Sequence, residues 1–209
     1  MQARSAIAGF YGVLDRDDAA LARALLAGGA GVIQLRLKAA AAEDVIRIGT
    51  WLKALCLEHG AALVINDRVD LALAVGAHGV HLGQTDLPLA AARALVGDRM
   101  WIGISTHDLD QVSAAVRGGA DYLGYGPVFA TTTKANPDPI QGLYALAAAV
   151  RTADEVPVVA IGGITPDRVA RVYATGCAAV CAIGAVNDSL DPAAAARACG
   201  PAGGRDRAE

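Results

Sequence analysis

The chain carries no excess of charge of either sign. Its 18 Lys and Arg against 21 Asp and Glu leave a formal net charge of −3 over 209 residues. A general nucleic-acid or anionic-membrane binder needs a basic face. The balance therefore argues against both partners and leaves room only for a local basic pocket around a phosphorylated ligand. Long apolar runs are missing too. The longest stretch free of Asp, Glu, Lys and Arg covers 172–187 and is interrupted by Gly176 and Gly184. It falls short of the ~18 residues of a membrane helix. The N-terminus lacks the long apolar region and cleavage site of a secretory leader, so a cytoplasmic location is expected. The 4 Cys form no CxxC pair and have no His at zinc-finger spacing. Buried thiols are expected, not a metal or redox centre. Aromatic residues make up only 4% of the chain.

What is abundant is Ala, at 47 residues, with 24 Gly. Setting Ala aside leaves about a third of the chain apolar, the profile of an Ala-rich globular protein. A chain near 200 residues hides roughly 70% of its unfolded surface, enough for one sizeable core, and one domain is expected over 1–199. The last residues, 200–209, are rich in Gly and charge and read as a loose tail.

Short β-branched runs alternate with Ala- and Leu-rich runs along the whole chain. The spacing predicts strands at 11–14, 31–37, 62–65, 79–82, 101–104, 122–125, 158–161 and 179–183. Helices are expected near 17–28, 42–59, 69–75, 88–95, 108–118, 141–152, 166–175 and 192–198. Pro88, Pro166 and Pro192 suit first helical turns, where a missing N–H costs nothing. Gly-Ala or Gly-Cys pairs at 29, 60, 76, 119 and 176 stop helices just before the next strand. Eight such units imply a parallel sheet closed into a (β/α)8 TIM barrel. The alternative, an open doubly wound sheet, wants a G-x-G-x-x-G turn after the first strand. Leu14-Asp15-Arg16-Asp17 stands there instead.

In a (β/α)8 barrel the active site lies at the C-terminal ends of the strands, and the uncommon polar residues of this chain gather there. The second strand closes on Gln34, Arg36 and Lys38, which period-two alternation sends to one face. The third closes on Asn66-Asp67, and the fourth runs through His81 to Gln84 and Asp86. Two carboxylates beside cations suit a hard divalent ion such as Mg²⁺, which takes one or two carboxylates and completes its shell with phosphate and water. A pair of helix N-caps is the other reading of Asp67 and Asp86. The fifth strand closes on Ser105-Thr106-His107, with Asp108 opening the next helix. After the sixth, Thr131, Thr132, Thr133 and Lys134 offer three hydroxyls and a cation to an oxyanion. The long segment to Gly142 reads as a lid. Gly162-Gly163 and Gly184 close the last two strands, where such barrels bind phosphate on backbone N–H groups. No nucleophile–base pair is evident.

Gln34-x-Arg36-x-Lys38, Ile65-Asn66-Asp67-Arg68-Val69-Asp70, Gly79-Val80-His81-Leu82-Gly83-Gln84-x-Asp86, Gly103-Ile104-Ser105-x-His107, Gly126-Pro127-Val128-Phe129-x-Thr131-x-Thr133-Lys134 and Ile161-Gly162-Gly163-Ile164 follow one another in register. Together they resemble the thiamine phosphate synthase family across nearly the whole chain. The resemblance implies a transferase that joins an aminopyrimidine diphosphate to a thiazole phosphate by dissociative loss of pyrophosphate. It implies Asp67 and Asp86 as ligands of Mg²⁺, and Arg36, Lys38, Asn66 and Lys134 as holders of pyrophosphate. It places Ser105 near pyrophosphate and pyrimidine, and Gln34 at the aminopyrimidine edge. Thr131, Thr133, Gly163, Ile183 and Gly184 would hold the thiazole phosphate. Arg36, Ser105 and Lys134 would carry the catalysis. Three positions depart from the family pattern: Leu37 in place of an acid, His78 in place of Asp, and Gly184 in place of Ser. A related aminothiazole tautomerase has no need of Asn66, Asp67, Gln84 and Asp86, and a barrel that only binds thiamine precursors has no need of Asp67 and Asp86 together with Lys134.

Overall fold

Three helix starts are written locally in the sequence. Asp18, Asp108 and Asp191 cap helices by accepting from the backbone N–H groups of Leu21, Gln111 and Ala194 at 2.8–2.9 Å, which satisfies donors the first turn leaves free. In the computed structural model, which describes residues 7–131 and 138–201, eight parallel strands close a barrel in sequence order. They are β1 (Gly9–Leu14), β2 (Val32–Leu35), β3 (Ala62–Asn66), β4 (Gly79–Leu82), β5 (Trp101–Thr106), β6 (Tyr122–Tyr125), β7 (Val158–Ile161) and β8 (Ala179–Cys181). Pairing of Gly9 with Ala179 and Phe10 with Val180 closes the sheet on itself.

Between the strands run α1 (Ala19–Ala27), α2 (Ala42–Glu58), α3 (Val69–Val75), α4 (Leu89–Val96), α5 (Leu109–Arg117), α6 (Gly142–Ala153) and α7 (Val169–Tyr173), and after β8 come α8 (Gly184–Asn187) and α9 (Pro192–Ala198). The expected helix at 166–175 is a 3₁₀ turn, Pro166–Arg168, leading into α7. The expected second and eighth strands are shorter than the sequence suggests, ending at Leu35 and Cys181. The fifth is longer and takes in Ser105 and Thr106. None of the described helices is long and apolar enough to cross a membrane. Thr133, Lys134 and the tail from 202 onward lie outside the described residues.

Alternation along the strands sorts side chains into two layers. Outward residues such as Ile33, Leu35, Leu63, Ile65, Val80 and Leu123 pack under the helices. Inward residues, among them Tyr11, Val13, Val32, Val64, Tyr122, Val159 and Cys181, fill the barrel. All four cysteines are free and buried, as expected from their apolar settings. The inner layer stops short of the C-terminal strand ends, and a cavity opens above it.

Candidate active site

The cavity at the C-terminal mouth has a volume of about 490 Å³. Its lining includes Gln34, Arg36, Lys38, Asn66, Asp67, Asp86, Ser105, Thr131 and Ile183, so residues from strand ends two, three, four, five, six and eight meet in one place. Arg36 and Lys38 lie beyond the end of β2, yet both reach the cavity. Among the described residues, no carboxylate pairs with either cation, whereas Arg16, Arg47, Arg68 and Arg93 each meet one on the surface. Two cations that line a concave surface with no direct ion pair keep their donors open to an anion.

Asp67 is held by strain. Its φ is +62°, in the left-handed region. Arg68 donates its N–H to the Asn66 carbonyl at 2.8 Å, closing a three-residue turn with Asp67 at the centre, a rare conformation among turns. The Asp67 N–H donates to the His81 carbonyl at 2.8 Å and pins the turn to β4. Such a residue costs about 1–3 kcal/mol and persists only where neighbours fix it. The Asp67 carboxyl then meets Asp86, and its pKa is pushed up to about 6 by burial first and by Asp86 next, against the pull of Arg36 and Asn66. Asp86 does not cap α4, whose N-cap is Pro88 without a side-chain bond. Its Oδ2 accepts from the Gly83 N–H at 2.6 Å, so its own tight turn orients it. The helix-cap reading of Asp86 is therefore overturned. The described residues contain no group of three or more His, Cys, Asp or Glu that could hold a metal. Asp67 and Asp86 are the facing pair of carboxylates in the lining, and Asp138, the third acid there, lies against His107 instead.

A buried polar chain crosses the barrel beneath the cavity. The Gln34 amide donates to the Tyr11 hydroxyl at 2.9 Å. Tyr11 and Tyr122 hydroxyls are 2.9 Å apart. Tyr122 meets His81 Nδ1 at 3.0 Å, and His81 Nε2 meets Ser105 Oγ at 2.9 Å. Gly103 leaves the room: a Cβ there would run into the Tyr122 ring and His81. Burial pushes the His81 imidazole down to about 4 and leaves it neutral. Ser105 and His81 thus form a hydroxyl–imidazole pair that the sequence did not reveal. It is not a nucleophile–base dyad. His81 Nδ1 faces a phenol instead of an orienting carboxylate, and an imidazole near 4 is a weak base for a serine at neutral pH.

The opposite wall is built by β6 and β7. Val128 and Phe129 donate to the carbonyls of Ile161 and Gly162 at 2.9 and 3.0 Å, while Gln141 and Gly142 donate back to Pro127 and Val128 at 2.8 and 3.0 Å. The expected lid is therefore anchored at both ends, with 126–130 lying along β7. Gly162 and Gly163 sit at φ +101° and +60°, and a Cβ on either would collide with the 127–130 segment. Gly163 does not line the cavity; its carbonyl accepts from Arg168 Nη1 at 2.7 Å, and that guanidinium lies 4.7 Å over the Phe129 ring. Gly184 opens α8, whose first N–H groups have no intrahelical partner. His107 ties the β5 end to the same wall, with Nδ1 donating to the Gly126 carbonyl at 2.6 Å and Nε2 3.4 Å from Asp138.

Of the departures from the family pattern, Leu37 packs against the outer core and away from the cavity. His78 accepts from the Leu63 N–H at 3.1 Å near the N-terminal end of β4, far from the mouth. Sequence reasoning missed Tyr11, Tyr122, Gln111 and Asp138 as cavity residues and gave His81 and His107 no role. Inward alternation from Val13 on β1 and Gly124 on β6 was the available signal for the two tyrosines.

Comparison with known proteins follows the same ground. The chain matches the family described as thiamine monophosphate synthase over residues 9–186. It is 47% identical to the thiamine-phosphate synthase of Anaeromyxobacter dehalogenans over 195 residues, covering 92% of this chain and 86% of that one. It is 47% identical to the thiamine-phosphate synthase of Laribacter hongkongensis over 83% of this chain and 82% of that one. The structure of thiamine phosphate pyrophosphorylase from Pyrococcus furiosus superposes with a TM-score of 0.86 at 36% identity, over 94% of this chain and 95% of that one.

Proposed function

The chain belongs to the thiamine monophosphate synthase family, and we propose that the cavity at its barrel mouth is where the two halves of thiamine are joined. The enzyme is a transferase that makes thiamine monophosphate. The observation that carries the site assignment is the gathering of two cations in no direct ion pair, Arg36 and Lys38, in the same cavity as the facing carboxylates Asp67 and Asp86.

In this reading Arg36, Lys38, Asn66 and Lys134 hold the pyrophosphate of the aminopyrimidine substrate. Its C–O bond breaks with the electron pair going to pyrophosphate, and the thiazole nitrogen lone pair forms the new C–N bond to the methylene carbon. Charge builds on the departing oxygens, so fixed donors aimed at them lower the barrier without reorganising. Ser105 supplies a hydroxyl there, and Gln34 meets the aminopyrimidine edge. Holding both reactants in one pocket supplies the remaining advantage, since the step needs no protein nucleophile. Thr131, Thr133, Gly163, Ile183 and Gly184 hold the thiazole phosphate, Gly163 through the turn it shapes.

Mg²⁺ fits the donor set: Asp67 and Asp86 offer two carboxylates, the number this ion takes when substrate phosphate and water complete its shell. When bound, the ion would neutralise charge on the leaving pyrophosphate. The elevated Asp67 carboxyl supports the fit, because two acids held face to face are strained without a cation. An aminothiazole tautomerase would have no use for the facing acids beside Arg36 and Lys38. The four buried thiols suit a reducing compartment, and we take this to be the cytoplasm, with 1–199 as one domain and small phosphorylated molecules as partners.

The test is reconstitution. Purified chain with both precursors and Mg²⁺ should release pyrophosphate and thiamine monophosphate in equal amounts, and omission of either precursor should abolish product. Product that is independent of Arg36 and Lys38, measured in the Arg36→Ala and Lys38→Ala variants, would move the site elsewhere.

A further inference from the structure

Hydroxyl groups have one proton each, and counting those protons along the chain from Gln34 to Ser105 selects the direction in which each one finds an acceptor. Gln34 Nε2 is a donor, so it uses a lone pair of Tyr11. The single Tyr11 proton is then free to go to the Tyr122 oxygen, 2.9 Å away. Tyr122 in turn gives its proton to His81 Nδ1 at 3.0 Å, which must be the unprotonated nitrogen. The neutral ring carries its proton on Nε2 and donates to Ser105 Oγ at 2.9 Å. A cationic ring would put a second donor on Tyr122, whose own proton would then have no acceptor in the chain. Ser105 is left as an acceptor toward His81, with its proton directed to the cavity. At the other end, the orientation of the Gln34 amide leaves Oε1 as an acceptor, beside the second Nε2 proton.

We propose that Tyr11, Tyr122 and His81 are positioning residues that couple the two ends of this chain, presenting Gln34 as an acceptor and Ser105 as a donor to the bound aminopyrimidine diphosphate. The substrate identity rests on the function proposed above; the direction of the chain does not. Every link lies between different strands, β2 to β1, β1 to β6, β6 to β4 and β4 to β5. The barrel therefore sets the polarity, and no single loop does. Reversing the links from Tyr11 to Ser105 with Gln34 left in place would make Tyr11 a double acceptor and leave its own proton without an acceptor in the chain, and reversing every link also rotates the Gln34 amide. A ligand with a donor for Gln34 and an acceptor for Ser105 matches one arrangement of the chain. A ligand of the opposite pattern would have to turn over five groups together. Tyr11 and Tyr122 are almost wholly buried, which makes an unpaired hydroxyl at either one costly.

The experiment is nitrogen-15 NMR on the full chain with labelled histidine, which contains 4 His, the His81 signal being assigned by its loss in His81→Gln. The expected result is the Nε2–H tautomer for His81. Tyr122→Phe should release the ring to a mixture of tautomers. It should also lower kcat/KM for the aminopyrimidine diphosphate by about tenfold, while KM for the thiazole phosphate stays within about twofold, the scale expected for one buried polar link. Tyr11→Phe should lower kcat/KM for the same substrate and serves if Tyr122→Phe does not fold. An Nδ1–H tautomer or an imidazolium in the parent protein would overturn the proposal, as would an unchanged His81 signal in Tyr122→Phe or equal losses for both substrates. Failure of the parent to make thiamine monophosphate would instead refute the substrate reading, with the tautomer still deciding the chain.

Discussion

Asp67→Asn should make the metal-free protein more stable at neutral pH. Asp67 is held at about 6, above an ordinary value of 3.8, chiefly by burial and by Asp86. At about 1.4 kcal/mol per pKa unit, an acid raised that far costs the folded state about 3 kcal/mol when fully ionised. Asp67 is only partly buried, and solvent screening reduces the cost to about 1–2 kcal/mol. The sign follows from proton binding. Between the unfolded and folded values the native state binds more protons than the unfolded chain, so native stability falls as pH rises through that window. The cost is absent below the unfolded value, grows between 3.8 and about 6, and is complete above it. Asn removes the charge and tolerates the left-handed backbone at φ +62°. Thermal unfolding in chelator at pH 7.5 should place Asp67→Asn about 3–6 °C above the parent, and the gap should close as the pH is lowered toward 4. Added Mg²⁺ should raise the parent and leave the variant little changed. A variant no more stable than the parent in chelator at pH 7.5 would refute the idea that the two acids are strained against each other.

Other outcomes can be checked by steady-state kinetics and thermal unfolding. Lys134→Ala should lower turnover far more than Lys53→Ala, because Lys53 lies on α2 with Nζ bonded to the Val75 carbonyl at 3.3 Å, outside the barrel; equal effects would remove Lys134 from the site. Gly184→Ser should lower KM for the thiazole phosphate by roughly tenfold, the worth of one hydrogen bond to a charged group, since Gly184 is not among the positive-φ glycines and accepts a side chain; an unchanged KM would mean that backbone N–H groups already fill that role. Gly103→Ala should cost stability and activity together, because the new methyl group meets the Tyr122 ring and His81; a variant as stable and active as the parent would show that the ring can move aside.

The barrel itself was legible because the βα units repeat the same signals: a short β-branched run, a helical Ala/Leu run and, in five of them, a Gly-Ala or Gly-Cys stop. The strand ends were legible as a site because polar residues are scarce elsewhere on those strands. The limits of β2, β5 and β8 were not. They depend on where each strand keeps a paired neighbour: Ser105 and Thr106 pair with Gly124 and Tyr125, while Ile183 passes into α8. Asp86 looked like a helix cap because Leu87-Pro88 follows it, and only the fold shows its bond to Gly83. The Tyr11–Tyr122–His81 chain was hidden for a different reason. Its members are up to 111 residues apart in sequence, and each taken alone is an ordinary inward-facing residue. Closure of the barrel is what brings them together.

The most direct test of the account is a structure of the chain with pyrophosphate and Mg²⁺. Pyrophosphate oxygens bonded to Arg36 and Lys38, with the cation between them and the carboxylates of Asp67 and Asp86, is the expected result. Pyrophosphate bound away from the barrel mouth, or a cation that leaves both carboxylates uncontacted, would contradict it.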